Sequence, residues 1–385
     1  MSDIKYNIDI VSNTRIGVNS YRIEIGGWAF AEGTEQLQID LPGISRKEYS
    51  VNRCQRSDVC KAHSSAPLLC GFLLSWESIE QPSAVTIRIG ELLSDVKSVL
   101  HEINLPKAKA CLYPPGHYYS PCPDLEAVSK YKEDIYSINK EFEAIELREK
   151  EQLNLLSRIA DEIYPTISFP IKKDKKNRYY YDNPNYSYSD AIVLHSMIRL
   201  LAPKRIIEVG SGFSSAVMLD TNDHYFNQEI DLTFIEPYPD LLVSISTVND
   251  SIHNRLIPKQ LQEVDTSIFE ALNAGDFLFI DSTHVSKINS DVNKLFFEIL
   301  PRLTKGVYIH FHDIFYPFEY PWEWVCEGRA WNEAYFLRSF LMYNEHFQII
   351  YFQDMLFKKH QDYFKRKMPL CLKNSGGNIW LRKNL

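Results

Sequence analysis

The residues best suited to chemistry lie in two short stretches of the second half of the chain. In FLFIDSTH, Asp281 ends an apolar run and His284 follows three residues later. In GVYIHFHDIF, residues 306–315, a second apolar run carries His310, His312 and Asp313. If the two runs are neighbouring strands, alternation puts His310 and His312 on one face, with Asp313 opening the loop beyond. Asp281, His312 and Asp313 can then converge at one sheet edge. Two carboxylates and an imidazole suit Mg2+, Mn2+ or another divalent ion better than a structural zinc, which prefers thiolates and more imidazoles. A purely hydrogen-bonded cluster is the alternative, because an Asp at a strand end often only caps the next helix.

Upstream, IIEVGSGFSS (206–215) reads as an apolar strand, a glycine turn and a helix start. Gly210 and Gly212 permit a tight turn and let a ligand lie against bare backbone. A dinucleotide fingerprint is G-x-G-x-x-G, and here Ser215 stands at the third glycine. Glu236 ends the next strand 24 residues after Gly212, where a carboxylate can accept both hydrogen bonds of a ribose diol. The spacing alone fits a nicotinamide dinucleotide or S-adenosylmethionine.

The elements that must hold these groups alternate. RIIEV (205–209), LTFIE (232–236), RLIPKQL (255–261), FLFID (277–281) and VYIHF (307–311) read as strands separated mostly by helical stretches, with FQIIYF (347–352) and NIWLRK (378–383) as two later candidates. Apolar strands alternating with helices predict an α/β domain over 179–385 with a mostly parallel sheet covered on both faces. Residues 1–105 read differently: YRIEI, LQIDL and AVTIRI alternate apolar with polar residues between turn formers, which predicts an antiparallel β-domain. A connector over 106–178 begins with the Pro- and aromatic-rich LPKAKACLYPPGHYYSPCPD (105–124). It continues with Val128, Tyr131, Ile135, Ile138, Phe142 and Ile145 at helical spacing, predicting one or two amphipathic helices over 125–150.

A chain of 385 residues exceeds one ordinary domain. Its formal charge of −8, with both signs interspersed, argues against a coat for nucleic acid or an anionic membrane. The seven cysteines, at 54, 60, 70, 111, 122, 326 and 371, form no C-x-x-C pair, so reduced thiols in the cytoplasm are expected. No basic start with an apolar stretch and no apolar run near the roughly 20 residues of a membrane span is present.

Glu208 before the glycines and FIEPYPD (234–240) around Glu236 resemble the cofactor region of class I S-adenosylmethionine-dependent methyltransferases. From about Pro114 onward the chain is similar to a bacterial family of such enzymes encoded with polysaccharide or glycan genes. The resemblance is carried by PPGHYYSP, YYYDNPNYSYSDA, EVGSGFSS, FIDSTHVSK, HFHDIFYPFEYP and GRAWNEAYFLRSFL. It implies a Rossmann-like domain with a seven-stranded sheet. Glu208, Gly210, Ser211, Gly212 and Ser214 become expected cofactor contacts, as do Glu236, Pro237 and Asp281. GGWAF, RSDV and GF in the first hundred residues resemble β-sandwich modules attached to glycosyltransferases.

The reaction residues resemble those of metal-dependent O-methyltransferases of the catechol and macrolide-sugar groups. The resemblance makes Asp281 and Asp313 metal ligands, with His312 in place of a customary carboxylate, and His284 the base. A sugar hydroxyl is too weak an acid for a His of pKa about 6.5 to deprotonate unaided, and a bound cation lowers that barrier. His117, Tyr118, Tyr119, Tyr181, His310 and Tyr316, with Phe318 and Tyr320, are candidates for a substrate wall, since rings stack on sugar faces. The expected activity is O-methylation of a sugar hydroxyl on a glycan, polysaccharide or nucleotide sugar. Expected associations are polysaccharide-assembly enzymes or a second copy of the chain. Two alternatives stay open: methylation of a phenolic or polyketide-like molecule, and a non-catalytic carbohydrate-binding or assembly protein. Nucleic acid is not an expected partner, because the fourth strand ends in IDST without the motif that holds a base.

Overall fold

Two patterns of burial divide the chain as its two sequence periodicities do. The structure, a computed structural model, describes residues 4–385 except 18–19, 32–36, 43, 46, 65, 68, 79–83, 91–97, 106–112 and 114. Met1–Asp124 and Leu125–Leu385 form separate compact units.

The first unit contains β1 (Lys5–Gly17), β2 (Ser20–Phe30), β3 (Gln38–Asp40), β4 (Tyr49–Cys54), β5 (Gly71–Ser78), β6 (Ala84–Gly90) and β7 (Ser98–Asn104). They form two sheets, β1-β2-β5-β4 and β3-β6-β7, and every pairing is antiparallel. In β2, Ile23 and Ile25 are buried while Arg22 between Tyr21 and Ile23 is exposed, the alternation of a half-buried strand. Ile23, Ile25 and Leu74 of one sheet share a hydrophobic cluster with Ile39, Ile87 and Ile89 of the other.

The second unit carries β8 (Arg205–Val209), β9 (Asp231–Ile235), β10 (Arg255–Ile257), β11 (Phe277–Ile280), β12 (Tyr308–His312), β13 (Phe347–Phe352) and β14 (Asn378–Lys383). The seven-stranded order is β10-β9-β8-β11-β12-β14-β13. The first five strands are parallel, and β14 runs antiparallel between β12 and β13. All four residues of β11 are buried, so both of its faces are covered. Helix α1 (Ser189–Leu201) stops at Ala202, in the left-handed region, one residue before Pro203, which cannot continue it. Helix α2 (Phe213–Phe226) follows β8 and ends on left-handed Asn227. Strand order reverses between β8 and β11, and the crevice at their carboxyl ends is where an open α/β sheet takes its ligand.

Of the one or two helices expected over 125–150, two form, Leu125–Ser129 and Lys132–Ile135, but they are short, and an irregular path follows over 136–148. Its apolar residues satisfy separate partners: the Tyr136 hydroxyl donates to the Tyr320 carbonyl at 2.7 Å, and Phe142 packs on Tyr316 and Phe318. No described helix is long and apolar enough to cross a membrane.

Candidate functional site

The turn after β8 is set by how closely β11 approaches it. Gly210 has φ +81°, and a Cβ there would lie 1.9 Å from the Asp281 carbonyl oxygen. Only glycine fits. Its N–H donates to the Ile235 carbonyl at 3.0 Å, and Asp281 N–H donates to that of Val209 at 2.8 Å, locking three strand ends together. Gly212 has φ −175° instead, outside the left-handed region. Glu208 is wholly buried beneath the turn. It accepts from the Ser214 hydroxyl at 2.6 Å and from Ser215, and burial pushes its carboxyl up to about 8 despite those donors.

A cavity of about 440 Å³ opens at the ends of β8 to β11, lined among others by Gly210, Glu236, Pro237, Leu261, Asp281 and Asp291. Four of the expected cofactor contacts, Gly210, Glu236, Pro237 and Asp281, therefore face it. Glu208, Ser211, Gly212 and Ser214 do not. Glu208 and Ser214 brace the turn from below, Gly212 N–H donates to Ser215 Oγ at 3.0 Å, and Ser211 N–H donates to Glu236 Oε2 at 3.0 Å, orienting that carboxylate. Leu261, Gln262 and Asp291 had no prior role; Asp291 accepts from both the Thr283 N–H and its hydroxyl.

Beside the cavity lies His284, buried, with its Nε2 3.4 Å from Asp281 Oδ1 and 3.6 Å from Asp313 Oδ2. Its other nitrogen, Nδ1, is 2.8 Å from Oε2 of Glu333, an almost fully buried side chain. The Ser282 hydroxyl donates to the second oxygen of Glu333 at 3.0 Å, and the backbone N–H groups of Asn332 and Glu333 donate to the His284 carbonyl. Burial opposes charge on this imidazole, but its contacts with Asp281 and Glu333 hold it well above its ordinary value. Burial likewise raises Asp313, while the two imidazoles, against burial, hold Asp281 below the usual range.

The oxygens of Asp281 and Asp313 and a nitrogen of His284 all lie within 4.8 Å of one another. The structure thus draws together Asp281, Asp313 and the expected base, with His312 one step outside: its Nε2 is 3.5 Å from Asp313 Oδ1. His310 and His312 do share a face, their rings near-parallel at 6.0 Å. His310 is sealed between Phe279 and Trp380 and cannot touch an acceptor.

Other expected wall residues of the second unit are corrected similarly. Tyr181 is buried and stacks on Tyr188 at 5.1 Å. Tyr316 is buried and donates its hydroxyl to the Lys140 carbonyl at 2.9 Å; Phe318 and Tyr320 are also core residues. His117, Tyr118 and Tyr119 belong to the first unit, where His117 stacks on Tyr113 at 4.4 Å and Tyr118 is 99% exposed. The aromatic ring adjoining the reaction group is Trp331, 4.5 Å from the His284 ring and half-buried. Trp324 packs edge-on against it at 5.3 Å, and the Arg329 guanidinium lies over both. Glu333 and Trp331 sit within GRAWNEAYFLRSFL, a motif carrying no local signature of its role.

The sheet with one reversed strand, the glycine turn at its switch point and the cavity beneath Glu236 define the class: an S-adenosylmethionine-dependent methyltransferase. Residues 207–314 match the family described as a methyltransferase domain. Over 169 residues the chain is 34% identical to an uncharacterized protein of Archaeoglobus fulgidus, covering 42% of this chain and 74% of that protein. The chain belongs to that protein's family.

Among solved structures, the O-methyltransferase TomG from Streptomyces achromogenes, in complex with S-adenosylmethionine, is 14% identical, with 67% of this chain and 96% of that chain covered and a TM-score of 0.33. A DUF574 family protein from Streptomyces avermitilis is 14% identical over 51% of this chain and 80% of that chain, with a TM-score of 0.34. Likenesses this remote transfer no activity.

Proposed function

We propose that the second unit is an O-methyltransferase acting on a sugar hydroxyl of a glycan, polysaccharide or nucleotide sugar in the cytoplasm. We read 1–105 as a β-sandwich module of the glycosyltransferase-associated kind that recognises carbohydrate or a partner enzyme, joined through the connector over 106–178. One observation carries the reading: the cavity lined by Gly210 and Glu236 ends at Asp281, which is itself 3.4 Å from His284.

Glu236, already held by Ser211 and Tyr238 N–H groups, presents its carboxylate for the ribose diol. The bare backbone at Gly210 admits the methionine end. The acceptor oxygen attacks the sulfonium methyl in line; the C–O bond forms as the C–S bond breaks, and the electron pair leaves on sulfur as S-adenosylhomocysteine. Its proton passes to the group formed by Asp281, His284 and Asp313. The carboxylates of Asp281 and Asp313 stand 3.4 and 3.6 Å from His284, so the group shares the base role expected of His284 alone. Trp331, with Trp324 behind it, offers a flat apolar face beside this group, suited to the C–H face of a sugar ring. Two carboxylates and an imidazole also fit a divalent cation, which when bound lowers the pKa of a neighbouring hydroxyl.

Calorimetric titration with S-adenosylmethionine and S-adenosylhomocysteine tests the cofactor, with Glu236→Ala expected to abolish binding. A wild-type protein that binds neither sinks the proposal. Mass spectrometry of methyl transfer to nucleotide sugars, oligosaccharides and phenols tests the acceptor, and transfer to phenols alone refutes the sugar assignment.

A further inference from the structure

We infer that Asp281, His284 and Asp313 form a site for a first-row transition cation, in which His284 binds through Nε2 and Glu333 anchors the ring from behind. The inference refines the O-methyltransferase reading, since the site adjoins the cofactor cavity. It changes the roles expected of the two histidines: His284 becomes a ligand, and His312 stands outside.

The spacing is the first argument. An ion about 2.1 Å from each oxygen or nitrogen ligand separates its ligands by about 3.0 Å at right angles and about 3.4 Å at tetrahedral angles. Nε2 already stands 3.4 and 3.6 Å from the two aspartate oxygens, so those two separations need little change, and all three ligand atoms lie within 4.8 Å of one another. The second argument is the ring's orientation. A metal-binding histidine characteristically donates its other N–H to a carboxylate, which fixes tautomer and direction. Glu333 does this at 2.8 Å and is itself fixed by Ser282 at 3.0 Å.

The third is a deficit of donors. Apart from the two imidazoles, no described side chain or backbone N–H is hydrogen-bonded to the carboxylate of Asp281 or Asp313. Partly buried carboxylates whose only described partners are imidazoles leave room for a cation. Independently, His312, only 6% exposed, directs Nε2 towards Asp313 while its Nδ1 is buried without a partner. An imidazole among the donors selects Mn2+, Fe2+, Co2+ or Zn2+ over Mg2+ and Ca2+, which take oxygen.

The test uses the full chain, stripped with EDTA, and Mn2+ alone as the probe, with and without S-adenosylhomocysteine. Electron paramagnetic resonance reads the affinity, and electron spin echo modulation reads nitrogen-14 bound directly to the ion. The wild type should bind Mn2+ with the modulation of a coordinated imidazole and should resist displacement by equimolar Mg2+. His284→Ala should lose the modulation and at least about 10-fold in affinity. Glu333→Gln should keep the modulation while weakening binding about 10-fold, and an unchanged melting temperature shows that it is folded. Failure to bind Mn2+, binding without nitrogen modulation, modulation persisting in His284→Ala, or ready displacement by Mg2+ each overturns the assignment. Mn2+ binding by a chain that ignores S-adenosylhomocysteine would leave this site standing and remove the methyltransferase proposal instead.

Discussion

Replacing Gly210 by alanine should damage the cavity at the ends of β8 to β11 far more than the same change two residues on. At Gly210 the new Cβ would sit 1.9 Å from the Asp281 carbonyl oxygen on a backbone at φ +81°. The left-handed conformation costs an alanine about 1–2 kcal/mol, and the overpacking about 1–3 kcal/mol more. The clash is backbone against side chain, so relief requires the ends of β8 and β11 to part by roughly 1 Å. A displacement of that size costs about 100-fold in a positioned site. Gly210→Ala should therefore melt lower by roughly 2–4 °C per kcal/mol lost and bind S-adenosylhomocysteine at least about 10-fold more weakly. At Gly212 the backbone is not left-handed, and the nearest atom to a new Cβ is the flexible Leu241 Cδ2 at 3.1 Å. Stability there should change by less than about 1 kcal/mol. Calorimetry and thermal melts of the two variants decide the matter. Equal stability in both, or wild-type affinity in Gly210→Ala, would refute the close-approach argument.

Glu208 keeps its proton in the folded state up to about pH 8, whereas the unfolded chain loses it near 4.5. The unfolded state thus binds fewer protons through that window, and stability falls as pH rises across it. Glu208→Gln should remove this dependence, gaining on the wild type in denaturant midpoint between pH 5 and 8; parallel curves would contradict it. Arg178 joins Asp220 at 2.8 Å and Asp250 at 2.6 Å in a buried cluster. Arg178→Met should destabilise by about 3–5 kcal/mol in urea titrations, because the carboxylates are left uncompensated; a loss below about 1 kcal/mol would show the cluster to be unimportant. Trp331→Ala should raise KM for a sugar acceptor several-fold while S-adenosylhomocysteine affinity is kept, and an unchanged KM would remove Trp331 from the acceptor wall.

Much of the sheet was legible because buried parallel strands are short apolar runs, whatever surrounds them. RIIEV, FQIIYF and NIWLRK match β8, β13 and β14 residue for residue, LTFIE and VYIHF shift by one residue, FLFID loses its last residue, and RLIPKQL shrinks to Arg255–Ile257. The one or two helices expected over 125–150 form only as two short turns, because apolar spacing does not state what each residue packs against. Val128 and Tyr131 do fall near helical turns, but Tyr136 and Phe142 reach separate partners. Aromatic residues misled in the same way. Tyr181, His310 and Tyr316 looked like a wall by composition and proved to be core, while Trp331 was overlooked.

The sequence by itself determined that Gly210, Glu236, Asp281 and Asp313 meet at one sheet edge, because strand-end residues are placed by the order and length of the runs before them. It also carried the glycine requirement, though not which of two glycines bears it: that depends on how near β11 comes to β8. Only the tertiary structure decided that Glu208 braces the turn beneath the cavity. It alone brought Glu333, 49 residues beyond His284, behind the imidazole and turned Nε2 to the two aspartates. Ring direction and hydrogen-bond partners are set by side chains arriving from distant elements, and no local spacing records them.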